Sequence, residues 1–254
     1  MTTADALAIA PALVDALAAA RKVTVLTGAG ISAESGVPTF RDAMTGLWAQ
    51  FRPEELATPE AFLRNPKLVW NWYAWRRERV ARASPNAGHF ALVELESRVP
   101  EFLLVTQNVD GLHARAGSCR MVELHGNIAR TKCFDCERTA DEKDLAGDDV
   151  PPRCPHCGGM LRPDVVWFGE MLPANALEQA MRAARECEVL LSVGTSTVVE
   201  PAASLPFVAL QSGAWVVEVN PDPTPLTPRA RFALKGTAAT MLPALVSALQ
   251  ARVG

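Results

Sequence analysis

Tyrosine is almost missing from this chain of 254 residues: Tyr73 stands alone, and histidine occurs only as His89, His113, His125 and His156. Such scarcity means that any chemistry needing an imidazole has four candidates. No apolar run approaches the roughly 20 residues that cross a bilayer. No sign of charge dominates either: 25 Lys and Arg against 28 Asp and Glu leave a net charge of -3, which argues against a broad nucleic-acid-binding face. The first 20 residues are rich in Ala and Leu but have no basic start or cleavage site, so they read as a helix rather than a signal peptide. These absences predict a cytoplasmic protein with no membrane and no nucleic-acid partner. Internal repeats and low-complexity segments are absent as well.

What the chain does contain is α/β alternation. Val23–Thr27 reads as a buried strand running into the turn Gly28-Ala29-Gly30-Ile31-Ser32-Ala33-Glu34-Ser35-Gly36. Glycines there suit a turn that approaches a pyrophosphate, with backbone N–H groups facing the anion. Phe102–Thr106, Val189–Val193 and Ala214–Val219 are further apolar runs, leading into Gln107-Asn108-Val109-Asp110, Gly194-Thr195-Ser196 and Asn220-Pro221. In an open parallel sheet these turns line one crevice. Helical period covers residues 7–21, 42–82, 86–99, 175–186, 202–211 and 240–252, the second of these rich in tryptophan. The expected fold is α/β: a Rossmann-like parallel-sheet domain built from residues 1–41, 84–128 and 162–254. Residues 42–83 form a helical insert, and residues 129–161 a small inserted zinc-ribbon module.

That module rests on four of the six cysteines. Cys133-x-x-Cys136 and Cys154-x-x-Cys157 are two knuckles seventeen residues apart, a spacing that closes a tetrahedral thiolate site for one structural zinc ion. Metal binding there replaces a core too small to fold alone. His156 lies inside the second knuckle but is not needed, since four thiolates saturate zinc. Cys119 and Cys187 read as small hydrophobes.

Taken in order, these motifs resemble the sirtuin family, the NAD-dependent protein lysine deacylases, over nearly the whole chain. The first glycine block with Pro38-Thr39-Phe40-Arg41-Asp42 carries the resemblance, followed by Thr106-Gln107-Asn108-Val109-Asp110 and Leu124-His125-Gly126. The paired knuckles, Val165-Val166-Trp167-Phe168-Gly169-Glu170, Gly194-Thr195-Ser196 and Val219-Asn220-Pro221 complete it. The resemblance implies a reaction in which NAD is consumed: the acyl-lysine oxygen attacks the ribose carbon as nicotinamide leaves, giving an alkylimidate. A histidine then acts as general base on a ribose hydroxyl, and free lysine, nicotinamide and 2'-O-acyl-ADP-ribose result.

On that basis His125 is the expected base, with His113 as its rival and Asn108 as a second catalytic residue. Gly28, Ala29, Gly30, Ser32, Phe40, Arg41, Gln107, Asn108, Asp110, Gly194, Thr195, Ser196, Asn220, Pro221 and Ala238 are expected to hold NAD. Arg41 suits the phosphates, Asp110 the nicotinamide carboxamide, and Phe40 screens the reactive carbon. Val165, Trp167 and Phe168 are expected to meet the peptide substrate, held by strand addition between the domains.

Tyr73 and Arg76 stand three residues apart on one helix face, where a phenol and a guanidinium together bind a carboxylate. This Tyr-x-x-Arg resembles the signature of the sirtuin branch that accepts succinyl- and malonyl-lysine, so acid-acyl groups join acetyl among the expected substrates. Ala43 is a candidate for the small residue that deepens the pocket. The partners implied are acylated lysines of other proteins, met by a monomeric enzyme. Two rival readings use the same NAD site: ADP-ribosyl transfer to a protein, and a module that only senses NAD.

Overall fold

A computed structural model of the chain describes residues 9–37, 51–145 and 148–253. Its centre is a six-stranded, wholly parallel sheet in which β1 (Lys22–Thr27) lies between β2 (Glu101–Thr106) and β7 (Val189–Val193). Outward from these run β3 (Met121–Glu123) on one side, then β8 (Trp215–Asn220) and β9 (Phe232–Lys235) on the other. The chain leaves β1 in one direction and later returns to its opposite side, so the crevice between the carboxyl ends of β1 and β7 is the topological switch point.

Both faces of the sheet are covered, as the continuous apolar runs require. One face packs Val25, Leu104, Leu191 and Val217 against α1 (Pro11–Ala19), α5 (Ala87–Arg98) and α9 (Ala238–Val253). The other packs Leu26, Val105, Leu190 and Val216 against α7 (Ala174–Glu186) and α8 (Leu205–Gln211). Two strands of this sheet escape sequence reading. Met121–Glu123 and Phe232–Lys235 are edge strands of three and four residues, too short for a run or an alternation to declare them.

The expected single helical stretch up to residue 82 breaks, within the described residues, into α2 (Pro53–Leu56), α3 (Pro59–Arg64) and α4 (Pro66–Arg82). Each break has a local cause. Thr58 caps α3 by accepting from the Ala61 N–H at 3.1 Å, and Asn65 caps α4 by accepting from Leu68 N–H at 3.2 Å, each ahead of a proline in the first turn. The first expected helix is shorter than predicted, Pro11–Ala19, and the one from residue 202 starts as a 3-10 turn before α8.

The cysteine-bearing segment is a three-stranded antiparallel sheet in which β4 (Gly126–Cys133) lies between β5 (Thr139–Ala140) and β6 (Leu161–Val165). It therefore reaches a few residues beyond 129–161 at both ends. It also shares a core with the helical insert: Ile128, Val165 and Trp167 are packed with Phe62, Val69, Trp72 and Tyr73. Trp72 and Phe62 are fully buried there, each contributing on the order of 2 kcal/mol of apolar burial. Helices α2–α4 and the antiparallel sheet thus fold over one another, beside the carboxyl ends of β1 and β2.

Candidate active site

Three loops meet at the switch point, and their glycines explain how closely. Gly30 N–H donates to Gly194 O at 2.8 Å, and Gly28 N–H to Val193 O at 3.0 Å. A Cβ on Gly30 would lie 2.7 Å from Gly194 Cα, and one on Gly194, whose φ is +58°, would lie 2.5 Å from Ile31 N. Beside the approach to a pyrophosphate that the sequence suggests for Gly28 and Gly30, the backbone-to-backbone packing of the two loops by itself requires glycine at these positions.

Between those loops lies a buried polar network. Asn108 Nδ2 donates to Gly28 O at 3.1 Å and to Ser32 Oγ at 3.2 Å, so both of its amide hydrogens are engaged and its oxygen remains the acceptor for a ligand. Ser32 Oγ donates to Asp110 Oδ2 at 2.7 Å, and Leu112 N–H donates to Asp110 Oδ1 at 2.9 Å. Burial raises the Asp110 carboxyl above its ordinary range, opposed by those two hydrogen bonds. Gln107 Nε2 donates to Thr195 Oγ1 at 3.0 Å, and Asn220 Nδ2 to Thr195 O at 3.2 Å, tying together the ends of β2, β7 and β8. Ser196 and Pro221 stand exposed beside them, and Ala238 is buried where α9 begins. Ala29 is half-buried on the first loop. Phe40, Arg41 and Ala43 lie outside the described residues.

The histidines now separate. His125 is half-buried, and its Nδ1 lies 2.8 Å from Gln107 O. A carbonyl can only accept, so Nδ1 carries the proton and Nε2 keeps the basic lone pair. Burial lowers its pKa from the ordinary histidine value, partly offset by that bond. The rival, His113, is fully buried with Nε2 3.0 Å from Thr27 Oγ1 and its ring 4.8 Å from that of His89. His89 is equally buried and serves α5: Asn86 N–H donates to its Nδ1 at 3.2 Å, in a capping box. Asn86 also reaches the first loop, donating through Nδ2 to Ile31 O at 2.8 Å.

The acyl-pocket residues are adjacent in space. Tyr73 is buried, and Arg76 lies with its guanidinium carbon 5.7 Å from the Tyr73 ring centroid and 5.0 Å from that of Trp72. Trp167 Nε1 donates to the Tyr73 hydroxyl oxygen at 3.0 Å. Desolvation pushes the phenol up to about 12, so it is a proton donor at neutral pH. Among the expected peptide contacts, Val165 and Trp167 have their side chains in the core, whereas Phe168 is exposed. Arg162, which the sequence does not single out, and Glu170, which closes a motif but is given no role by it, frame this loop. Arg162, buried, donates through Nη2 to Glu170 Oε2 at 2.9 Å and to Val165 O at 2.8 Å, and Glu170 Oε2 accepts from Trp167 N–H at 2.7 Å. An arginine eight residues before a glutamate carries no sequence signal, because the pair is formed by a turn.

The four sulfurs of Cys133, Cys136, Cys154 and Cys157 lie within 4.8 Å of one another, with 3.4 Å and 3.8 Å between two of the pairs. Tetrahedral zinc with Zn–S bonds of about 2.3 Å sets its sulfurs about 3.8 Å apart, so the cluster fits that ion. Glu137 and Gly158, each directly after the second cysteine of a knuckle, both have positive φ, 57° and 76°. The two knuckles therefore turn alike. His156 is not part of the cluster; its Nδ1 lies 3.3 Å from Arg138 Nη1.

Sheet order, switch-point network and thiolate cluster together define a Rossmann-like α/β protein with a small domain whose four cysteines are placed to hold a metal ion. The profile described as "Sir2 family" matches residues 28–201, so the chain belongs to the Sir2 family. It is 54% identical over 232 residues to the NAD-dependent protein deacylase of Aquifex aeolicus, covering 91% of this chain and 97% of that protein. To NAD-dependent protein deacylase 1 of Pseudomonas aeruginosa it is 51% identical over 244 residues, covering 92% and 97%. Among solved structures, a Sir2 homolog–NAD complex matches with a TM-score of 0.90 at 45% identity, covering 97% of this chain and 96% of that one. A Sir2–p53 peptide–NAD+ structure matches with a TM-score of 0.84 at 30% identity, covering 96% and 99%.

Proposed function

We propose that this protein removes acyl groups from protein lysines in a reaction that consumes NAD. The observation that carries the reading is the placement of His125. Its imidazole is held neutral, with Nε2 as the basic atom, on the carbonyl of Gln107, next in the chain to Asn108 at the switch point of a parallel sheet. A site that only sensed NAD would have no use for a base there.

Bound NAD would supply an electrophilic ribose carbon and a leaving nicotinamide. The chain's own residues do the rest. The turns at Gly28–Ser32 and Gly194–Ser196 present backbone and hydroxyl groups to the phosphates and riboses, with Asn220, Pro221 and Ala238 at their border. Asp110 keeps acceptor capacity for the carboxamide, since each of its oxygens has a second lone pair. Asn108 offers its amide oxygen to a ribose hydroxyl or a water. His125 Nε2 takes a proton from a ribose hydroxyl. Cys133, Cys136, Cys154 and Cys157 would hold a zinc ion that ties the small domain together, and four thiolates would leave no open position for chemistry.

For the acyl group, Tyr73 as donor and Arg76 as cation suit a terminal carboxylate, which supports succinyl- and malonyl-lysine beside acetyl-lysine as substrates. Phe168, exposed at the end of the Val165–Phe168 segment, is suited to the peptide. We further infer a monomeric cytoplasmic enzyme; that none of its six cysteines is joined in a disulfide suits a reducing compartment. Light scattering on the purified protein tests the monomer.

The test of function is incubation with NAD and an acyl-lysine peptide, followed by mass spectrometry. Free lysine with O-acyl-ADP-ribose is the expected result. A mass gain on a protein acceptor would mean ADP-ribosyl transfer, and unchanged peptide would mean sensing alone; either overturns the reading.

A further inference from the structure

The Val165–Glu170 turn is held by an ion pair between buried Arg162 and half-buried Glu170. The Arg162 guanidinium carbon lies 3.3 Å from the centroid of the Trp167 ring, so the cation is stacked flat on the indole. Its Nη1 and Nη2 donate to Glu170, Nη2 also to the Val165 carbonyl, and Glu170 in turn accepts from the Trp167 N–H. Burial alone would raise the Glu170 carboxyl, but hydrogen bonds from Arg162 and Trp167 hold it below its usual range. Both the ring and the backbone of Trp167 are therefore fixed by one pair of charges.

What that fixed indole does is decided at its nitrogen. Trp167 Nε1–H is only a donor, and it is spent on the Tyr73 oxygen at 3.0 Å. The Arg76 guanidinium carbon lies 5.7 Å from the centroid of the Tyr73 ring, so its charge stands beside the same phenol. With the indole donating to its oxygen, the hydroxyl is oriented and still has its own proton to give to a ligand. A phenol held in this way, with a guanidinium beside it, suits an anionic acceptor.

We propose that Arg162 and Glu170 are a specificity-determining positioning pair for acid-acyl groups. By clamping Trp167 they orient the Tyr73 hydroxyl to donate toward the acyl terminus. The inference rests on the acid-acyl reading of Tyr73 and Arg76 given above. Neither Arg162 nor Glu170 touches substrate; both act through Trp167.

The test compares kcat/KM for succinyl- and acetyl-lysine peptides in the zinc-loaded wild type and in an Arg162→Met/Glu170→Leu double variant. Removing both charges together avoids leaving one buried and unpaired. Loss of the oriented donor should lower desuccinylation about tenfold or more, with deacetylation falling much less, so the ratio of the two drops. Arg162→Lys, which keeps the charge but loses the flat fork, should move the ratio the same way to a smaller extent and serves if the double variant does not fold.

A second readout is independent of turnover. Tyr73 is the only tyrosine, so carbon-13 labelling at the tyrosine ζ carbon reports this phenol alone. Succinyl-lysine peptide should shift that resonance in the wild type and shift it less in the variants. Equal loss of both activities, with an undiminished resonance response, overturns the inference. A wild type without desuccinylation fails the acid-acyl reading itself and takes the inference with it, and the two failures are thereby told apart.

Discussion

His125 Nδ1 and the carbonyl oxygen of Gln107 stand 2.8 Å apart, which settles the tautomer of the imidazole before any substrate arrives. Burial lowers the His125 pKa, so the neutral base persists below the value of about 6.5 typical of free histidine. The acid limb of kcat/KM should therefore fall at a pH below about 6.5, as the base becomes protonated. His125→Asn should abolish turnover of every acyl substrate while leaving zinc content and fold unchanged. A pH–rate profile with its acid limb above that value, or a turning-over variant, would count against the assignment.

Tyr73 and Arg76 carry the second prediction. Tyr73→Phe with Arg76→Met removes a donor and a cation that a carboxylate would use, together worth roughly 100-fold in kcat/KM for succinyl peptide. Acetyl peptide lacks that carboxylate, so its turnover should remain measurable. Steady-state kinetics with both peptides at one NAD concentration checks this, and parallel loss of the two would sink the carboxylate role.

Gly30→Ala tests the loop contact at the switch point. Its Cβ would meet the Gly194 backbone at 2.7 Å, where neither partner is a flexible side chain. The two loops must part, at a cost of about 1–3 kcal/mol in stability. The same displacement should weaken NAD binding in a calorimetric titration. If both stability and NAD affinity were unchanged, the loops would not be packed as described.

Glu137 and Gly158 form matching turns after their knuckles, but only one of them is glycine. A non-glycine residue in the left-handed region costs about 1 kcal/mol, so Glu137→Gly should stabilise the small domain against chelator-induced unfolding. Stripping the zinc should unfold that domain before it affects the parallel sheet, as followed by tryptophan fluorescence and circular dichroism.

The two fully buried histidines set the acid behaviour of the fold. Burial holds His89 down at about 4 and His113 down at about 3, the latter also feeling His89. The unfolded chain takes up protons first as pH falls, so this stability is intact above about 6.5 and is lost toward about 4 and 3. Denaturant midpoints should fall steadily across that window. His113→Gln, which keeps a hydrogen-bonding group without the titration, should flatten the slope.

The strands that sequence reading finds are those buried on both faces, such as Val189–Val193, because unbroken apolar runs are a local signal. Edge strands Met121–Glu123 and Phe232–Lys235 escaped it, since their pairing depends on neighbours distant in the chain. The candidate site divides along the same line. Gly28, Asn108, Asp110, His125 and the four cysteines lie in short spaced motifs and are legible as they stand. Arg162 lies in none, and the motif that holds Glu170 does not show its role, because the pair is formed by the turn that brings it to Trp167.

By itself the amino-acid sequence determined the alternation of elements, the thiolate cluster and the set of polar turns, all of which are encoded by neighbours within a few residues. Only the tertiary structure decided that Gly28 and Gly30 pack against Gly194, and that His125 stays half-buried at the switch point whereas His113 is fully buried. It also decided that the helical insert shares a core with the cysteine-bearing sheet, and that the Tyr73 hydroxyl is left to donate. Each of these depends on contacts between segments tens of residues apart, where packing and desolvation choose among states that local sequence leaves equal.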